Sequence, residues 1–437
     1  MAFNDSSKQC AWRTPSFFLA ALAVLISPLA AAQSGYSQPA PVQPNLESPV
    51  TKTEGPKENI RPVIAKPMFA AEKLLAEKKY QEVLEQIAEA EKVGDRTAFE
   101  NYMLDRMRAT AALGVGNDAL AVRSLESALA SGRIPPADTL NFVDGVARIH
   151  YRQKDYRQAA IWAARAVKDP GVRIETRLLL GHASYLIGDF PTAKTEIAAV
   201  LAAAEQAGKP MPEDQLRLLA SATQKSDDNE GYVAVLEKLA VRYPKKDYWA
   251  DLIHRVESRQ GFAERLALDA FRLKLATSAM SGKGDFMEMA ALSLQSGYPA
   301  EAQKVIDAGI AAGVLARDAA VDSEKQLRVS ISKELAEEIA RSAKAGTTTP
   351  KGSLALLNNG FDAVLKGDAR KGLEMMEAGM KAGDLRRPED ARLRYGIALV
   401  MAGQRPKASE TFKAVQGTDG TAELAHLWDL YSRQAGS

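Results

Sequence analysis

Two short segments 34 residues apart constrain this chain more than anything else in it. Asp155-Tyr156-Arg157-Gln158-Ala159 and Asp189-Phe190-Pro191-Thr192-Ala193 each run from an acidic turn through an aromatic to a small residue that opens a helix. A fixed period of that length is the mark of stacked helix pairs, because one pair cannot bury its apolar face alone. The 437-residue length would otherwise accommodate two or three ordinary domains. From about Lys66 to Ser437 the pattern is of helices of roughly 12–18 residues, separated by short Gly, Asp, Asn or Pro turns. Aromatics are only 6% and β-branched runs are rare, as suits helix packed on helix.

Small residues recur with that period. Ala147, Ala159 and Ala166 serve one repeat, Gly181 and Ala193 the next, and Ala109, Gly116, Ala121, Leu125 and Ala128 an earlier one. Ala220, Leu236 and Pro244 follow, and Gly396, Gly403, Ala408 and Phe412 mark a late repeat. Antiparallel helices approach closely only where side chains are small, with a bulky residue filling the wedge beside them. In these positions the chain resembles the tetratricopeptide (TPR) repeat superfamily. The resemblance implies an all-α, right-handed TPR-like α-solenoid of antiparallel helix pairs. The pairs are expected at 66–92, 97–131, 137–168, 172–207, 211–243, 246–279, 284–313, 317–345, 352–381 and 388–417, with a capping helix at 421–435. The pair at 317–345 has one convincing helix, from Ser332 to Lys344. With the Ser278–Gly284 run it suggests a junction between an N-terminal array, 66–280, and a C-terminal array, 281–437.

The first 65 residues read differently. Lys8 and Arg13 precede an apolar run, Phe17 to Leu29, followed by Ala30-Ala31-Ala32, the order of a secretory signal peptide over residues 1–32. Pro28 and the shortness of the run favour cleavage over a retained anchor. Residues 33–65 carry six prolines in polar surroundings and read as an extended, disordered linker. The only cysteine, Cys10, falls in the leader, so neither a disulfide nor a lipid-bearing Cys is expected in the mature chain. The expected location is a bacterial periplasm, with no membrane span after the leader.

A narrower resemblance is to periplasmic TPR proteins associated with TonB energy-transduction systems. It rests on Tyr243-Pro244-Lys245-Lys246-Asp247-Tyr248-Trp249, Gly297-Tyr298-Pro299-Ala300-Glu301-Ala302 and Leu385-Arg386-Arg387-Pro388-Glu389-Asp390-Ala391-Arg392-Leu393, in that order over Tyr232 to Val415. It implies protein partners such as TonB, ExbB and ExbD. The helix around Lys325–Leu335 departs from the full repeat expected there.

The sequence argues against chemistry. Lys+Arg number 57 against 55 Asp+Glu, leaving no basic footprint for nucleic acid. His150, His182, His254 and His426 share no helical face, and no His-Glu-x-x-His, nucleophile elbow or phosphate loop occurs. Neither enzyme activity, a cofactor nor a metal is expected. His150 reads as core between helices, as do Trp249 and the Met375, Met376 and Met380 stripe. What the TPR resemblance does imply is a concave face lined by first helices of successive repeats. It carries Asn141, Arg148, Tyr151 and Arg152, then His182 and Tyr185, then His254, a mixture that includes the Tyr and Arg common at binding hot spots. The expected function is an exported scaffold or adaptor, within a TonB-type complex. The alternative is an accessory protein of exopolysaccharide or envelope assembly.

Overall fold

The computed structural model describes residues 59–318, 321–345 and 352–434. The leader at 1–32 and residues 33–58 of the linker lie outside them. The described residues form twenty α-helices and no strand. They divide into two compact units, ending and beginning at Asp227 and Asp228.

The first unit contains α1 (Pro62–Ala76), α2 (Tyr80–Glu91), α3 (Ala98–Gly114), α4 (Asp118–Ala130), α5 (Pro136–Arg152), α6 (Tyr156–Ala166), α7 (Ile174–Ile187), α8 (Phe190–Gln206) and α9 (Glu213–Lys225). α1, α3, α5 and α7 each pack against the helix that follows, and α1 on α3 and α5 on α7 bring first helices side by side. The turn inside three of the four pairs follows from two residues. At Gly188 the chain turns left-handed (φ +86°), and the next amide, Asp189 N–H, reaches back to Ser184 O at 2.8 Å. This is a Schellman closure of the first helix. Asp189 then caps the second helix by accepting from Thr192 N–H at 3.2 Å. Gly116-Asn117 and Lys154-Asp155 repeat the arrangement. The acidic turn of the 34-residue motif is therefore the N-cap of the second helix.

The small positions do what their spacing implies. Ala109, Ala121, Ala128, Ala147, Ala159 and Ala193 are fully buried. A Cβ on Gly181 would lie 2.6 Å from Ile197 Cγ1, so helix contact there requires glycine. Gly116 is a correction: it ends α3 at φ +75° and lines no helix contact. The linker is also shorter than expected. α1 starts at Pro62 rather than after residue 65, since proline at the first helical position gives up an amide that has no intrahelical partner. Arg61, just before it, is tied to the buried Glu100 through its backbone N–H (3.0 Å) and its guanidinium (2.8 Å). His150 is buried between helices, as its spacing suggests.

The second unit contains α10 (Asn229–Arg242), α11 (Lys246–Glu257), a 3-10 turn (Glu264–Leu266), α12 (Ala267–Ala276), α13 (Lys283–Gln295), α14 (Pro299–Ala311), α15 (Asp322–Ala345), α16 (Ser353–Leu365), α17 (Ala369–Ala382), α18 (Pro388–Met401), α19 (Arg405–Lys413) and α20 (Thr421–Ser432). Helix pairing recurs, most closely between α16 and α17. There a Cβ on Gly360 would come within 2.6 Å of the Gly372 carbonyl. Three expectations change. The division falls at 227/228, inside the expected pair 211–243, and not at 280/281. The Ser278–Gly284 run is a tight turn: Ala279 is buried with its N–H on Lys274 O at 2.7 Å, and Ser281 N–H caps onto Asp285 at 2.8 Å. Residues 317–345 give one helix that begins at Asp322, ten residues before Ser332.

A further change concerns α20, which does more than cap. It packs on α18 and α19 and also on α10 and α11 at the start of the unit. Trp249 meets Tyr431 edge to face at 6.2 Å, and Gln434 donates to Ala240 O at 2.8 Å. The centre is ionic. Arg272 is buried and donates to both oxygens of Glu301 at 2.7 Å and to Asp269 at 2.5 Å. Arg394 (3.2 Å) and the Trp428 indole (3.3 Å, to the backbone carbonyl) converge on the same Asp269. Arg265 joins Asp390 at 2.7 Å and Asp419. Buried ion pairs are tolerated only when fully hydrogen-bonded, as this one is.

Candidate partner-binding face

The first helices of the first unit place the candidate residues. Their register puts Asn141, Asp144, Arg148, Tyr151 and Arg152 on one side of α5, and Glu175, Leu178, His182, Tyr185 and Leu186 on the matching side of α7. Six of the seven expected site residues lie here. His254 belongs to α11 of the second unit, where it is exposed near Ser258 (3.3 Å).

The face is not a row of free side chains; it is laddered from one repeat to the next. Asp144 is buried on α5 and accepts from Arg148 Nε at 2.8 Å, from the Thr176 hydroxyl at 2.5 Å and from Arg173. Arg152 forks onto Asp118 at the start of α4, and that hydrogen bond raises its already high pKa. His182 is buried, with Nε2 2.7 Å from the Gln215 side chain on α9; burial holds its pKa below the usual histidine value. Tyr185 meets the Ser221 hydroxyl at 2.8 Å and Phe190 edge to face at 5.5 Å. Tyr151 leans edge to face on Tyr156 at 5.4 Å, and burial pushes its hydroxyl up to about 12.

His182 and much of Tyr185 thus serve the stack itself. Asn141, Arg148, Tyr151 and Arg152 remain half-buried or exposed and form the accessible part. Sequence reasoning missed the ladder partners Asp118, Arg173, Thr176, Gln215 and Ser221. Their signal was present: Arg152–Asp118, His182–Gln215 and Tyr185–Ser221 are polar pairs about one period apart. Among the described residues no group of three or more His, Cys, Asp and Glu is placed to hold a metal ion. No described helix is long and apolar enough to cross a membrane.

Fold and face together define an all-helical, TPR-like repeat protein of stacked antiparallel helix pairs. The sequence matches no family model and no curated protein. Two of the solved structures it is similar to are the Naa15/Naa10 complex bound to HypK-THB and the TPR domain of P58(IPK). The first is 15% identical with a TM-score of 0.29, the match covering 81% of this chain and 58% of that one. This chain therefore spans less than two thirds of that relative's length. The second is 10% identical with a TM-score of 0.18, covering 84% and 98%. At TM-scores this low the superpositions add nothing to what the helix pairs themselves show.

Proposed function

We propose that this chain is an exported scaffold that holds a segment of a partner protein against the inner face of its first unit. The observation that carries the reading is the accessible quartet Asn141, Arg148, Tyr151 and Arg152, held on a stack whose neighbouring side chains are locked repeat to repeat. Tyr offers contact area with a hydroxyl, Arg a planar donor fork, and a pre-ordered face loses little entropy on binding. Export is supported by the order of Lys8, Arg13, Phe17–Leu29 and Ala30–Ala32. A role beside TonB, ExbB and ExbD in the periplasm is supported by the three segments between Tyr243 and Leu393. The test is cross-linking capture from periplasmic extract, with Arg152→Ala as the comparison. That variant breaks only a surface pair, so it leaves folding nearly unchanged. The partner should be captured by the natural chain and weakened about tenfold in the variant. Equal capture by both would move the binding face elsewhere, and capture of polysaccharide-assembly components alone would replace the TonB assignment.

A further inference from the structure

We propose that Arg148 and Arg173 form a docking point for carboxylate side chains, so that the partner segment held on this face is acidic. The inference rests on the reading of the first unit's inner face given above, and adds the chemistry of the segment.

The carrying observation is a mismatch of charge and donors around Asp144. Two guanidiniums, from α5 and from the residue that precedes α7, share this one buried carboxylate. Both use the same oxygen: Arg148 Nε donates to Asp144 Oδ2 at 2.8 Å, and the Arg173 guanidinium reaches that atom too. The other oxygen is taken by the Thr176 hydroxyl. An arginine carries five N–H donors in a rigid fork suited to two parallel bonds with a carboxylate. Each of these forks is engaged through one donor, and the side chains are still 41% and 37% exposed.

Elsewhere on the face the balance closes. Arg152 has its fork on Asp118, and Arg177 pairs with Glu196 at 2.9 Å. Glu175 is exposed beside Arg173 in sequence and pairs with neither arginine. The excess positive charge is therefore local, and on α5 it lies about one helical turn from the accessible Tyr151 and Arg152 and about two from Asn141. A carboxylate brought by a partner would complete both forks without displacing Asp144. An uncharged amide would complete them less well, since charge-assisted hydrogen bonds are roughly twice as strong as neutral ones.

The test uses the full chain and two labelled peptides of about ten residues with amidated C-termini, one alternating Glu and Ala and the other Gln and Ala, read by fluorescence anisotropy. The Glu peptide should bind and weaken steeply between about 50 and 300 mM salt, while the Gln peptide should not bind. Arg148→Gln and Arg173→Gln should each weaken the Glu peptide at least about fivefold, with circular dichroism unchanged. Asp144→Asn removes the internal competitor at constant shape and should tighten binding. Arg165→Ala on the outer helix α6 should leave it unchanged. Equal binding of both peptides overturns the inference, as does full binding by both Arg variants. Binding only of an acid-free peptide with a free C-terminus overturns it as well. If the captured partner is lost with Arg152→Ala but kept with Arg148→Gln and Arg173→Gln, the face stands and its acidic specificity falls.

Discussion

Asp155 and Asp189 each perform two tasks at one position. The backbone N–H closes the helix behind, on His150 O and Ser184 O, and the carboxylate opens the helix ahead. That double use is why an acidic residue recurs with the repeat, and why it was visible in the sequence before any contact was known. The histidines were less legible, because spacing alone does not say whether a side chain meets water or a neighbour's amide. His182 meets Gln215 and is buried, which lowers its pKa. His426 in the second unit donates from Nε2 to the Glu237 carboxylate at 3.0 Å, which raises its own. The signs are opposite. An unfolded histidine titrates near 6.5. The folded state at His182 binds fewer protons than the unfolded one, so its contribution is full above that value and is lost as pH falls through the depressed folded one. At His426 the folded state binds more protons, so its contribution is full below about 6.5 and disappears as pH rises through the elevated folded value. Hydrogen exchange at pH 7.5 and 5.5 should show α7 and α9 losing protection on acidification and His182→Gln blunting that loss. The contact of α20 with α10 should move the other way, with His426→Gln abolishing the gain.

Among the elements, α3 shows how local sequence fixes a helix end. Thr97 accepts from Glu100 N–H at 3.1 Å while Glu100 returns to Thr97 N–H at 2.8 Å, a full capping box. The same Glu100 receives Arg61, and that hydrogen bond leads in lowering its carboxyl to about 2. One residue thus begins α3 and anchors the chain entering α1. Thr97→Ala should cost about 0.5–2 kcal/mol, read as a lower denaturant midpoint at unchanged slope. An unchanged midpoint would mean that Arg61 and Glu100 hold the end without the cap. By contrast, the Ser278–Gly284 run shows where composition misleads. Its small, flexible residues read as a junction, yet Asp285 and the Lys274 carbonyl pin it into a turn.

At the scale of whole units, the second one is closed by contacts its sequence does not advertise. In an open repeat array the last helix touches only its neighbours, so losing it is a local event. Here α20 also reaches α10 and α11, and Trp428 donates to Asp269 beside the buried Arg272. Ending the chain after Gly420 should therefore strip amide protection from α10, α11 and α12, up to about 190 residues upstream. In the first unit α1 to α6 should keep theirs. Protection lost only in α18 and α19 would show α20 to be an ordinary end cap.

What the sequence determined by itself is whatever depends on neighbours along the chain or one period away. This covers the helices, the caps at Asp155 and Asp189, the buried Ala159 and Ala193, and the placing of Arg148, Tyr151 and Arg152 on one side of α5. Helical periodicity and capping are local physics, and the repeat makes the next layer predictable from the last. Only the tertiary structure decided which of those side chains stay accessible. It also decided that two arginines share Asp144, where the units divide, and that Arg265, Arg272 and Trp428 meet residues 29 to 159 positions away. Those partners are matched by charge and shape across space, and no spacing along the chain encodes that match.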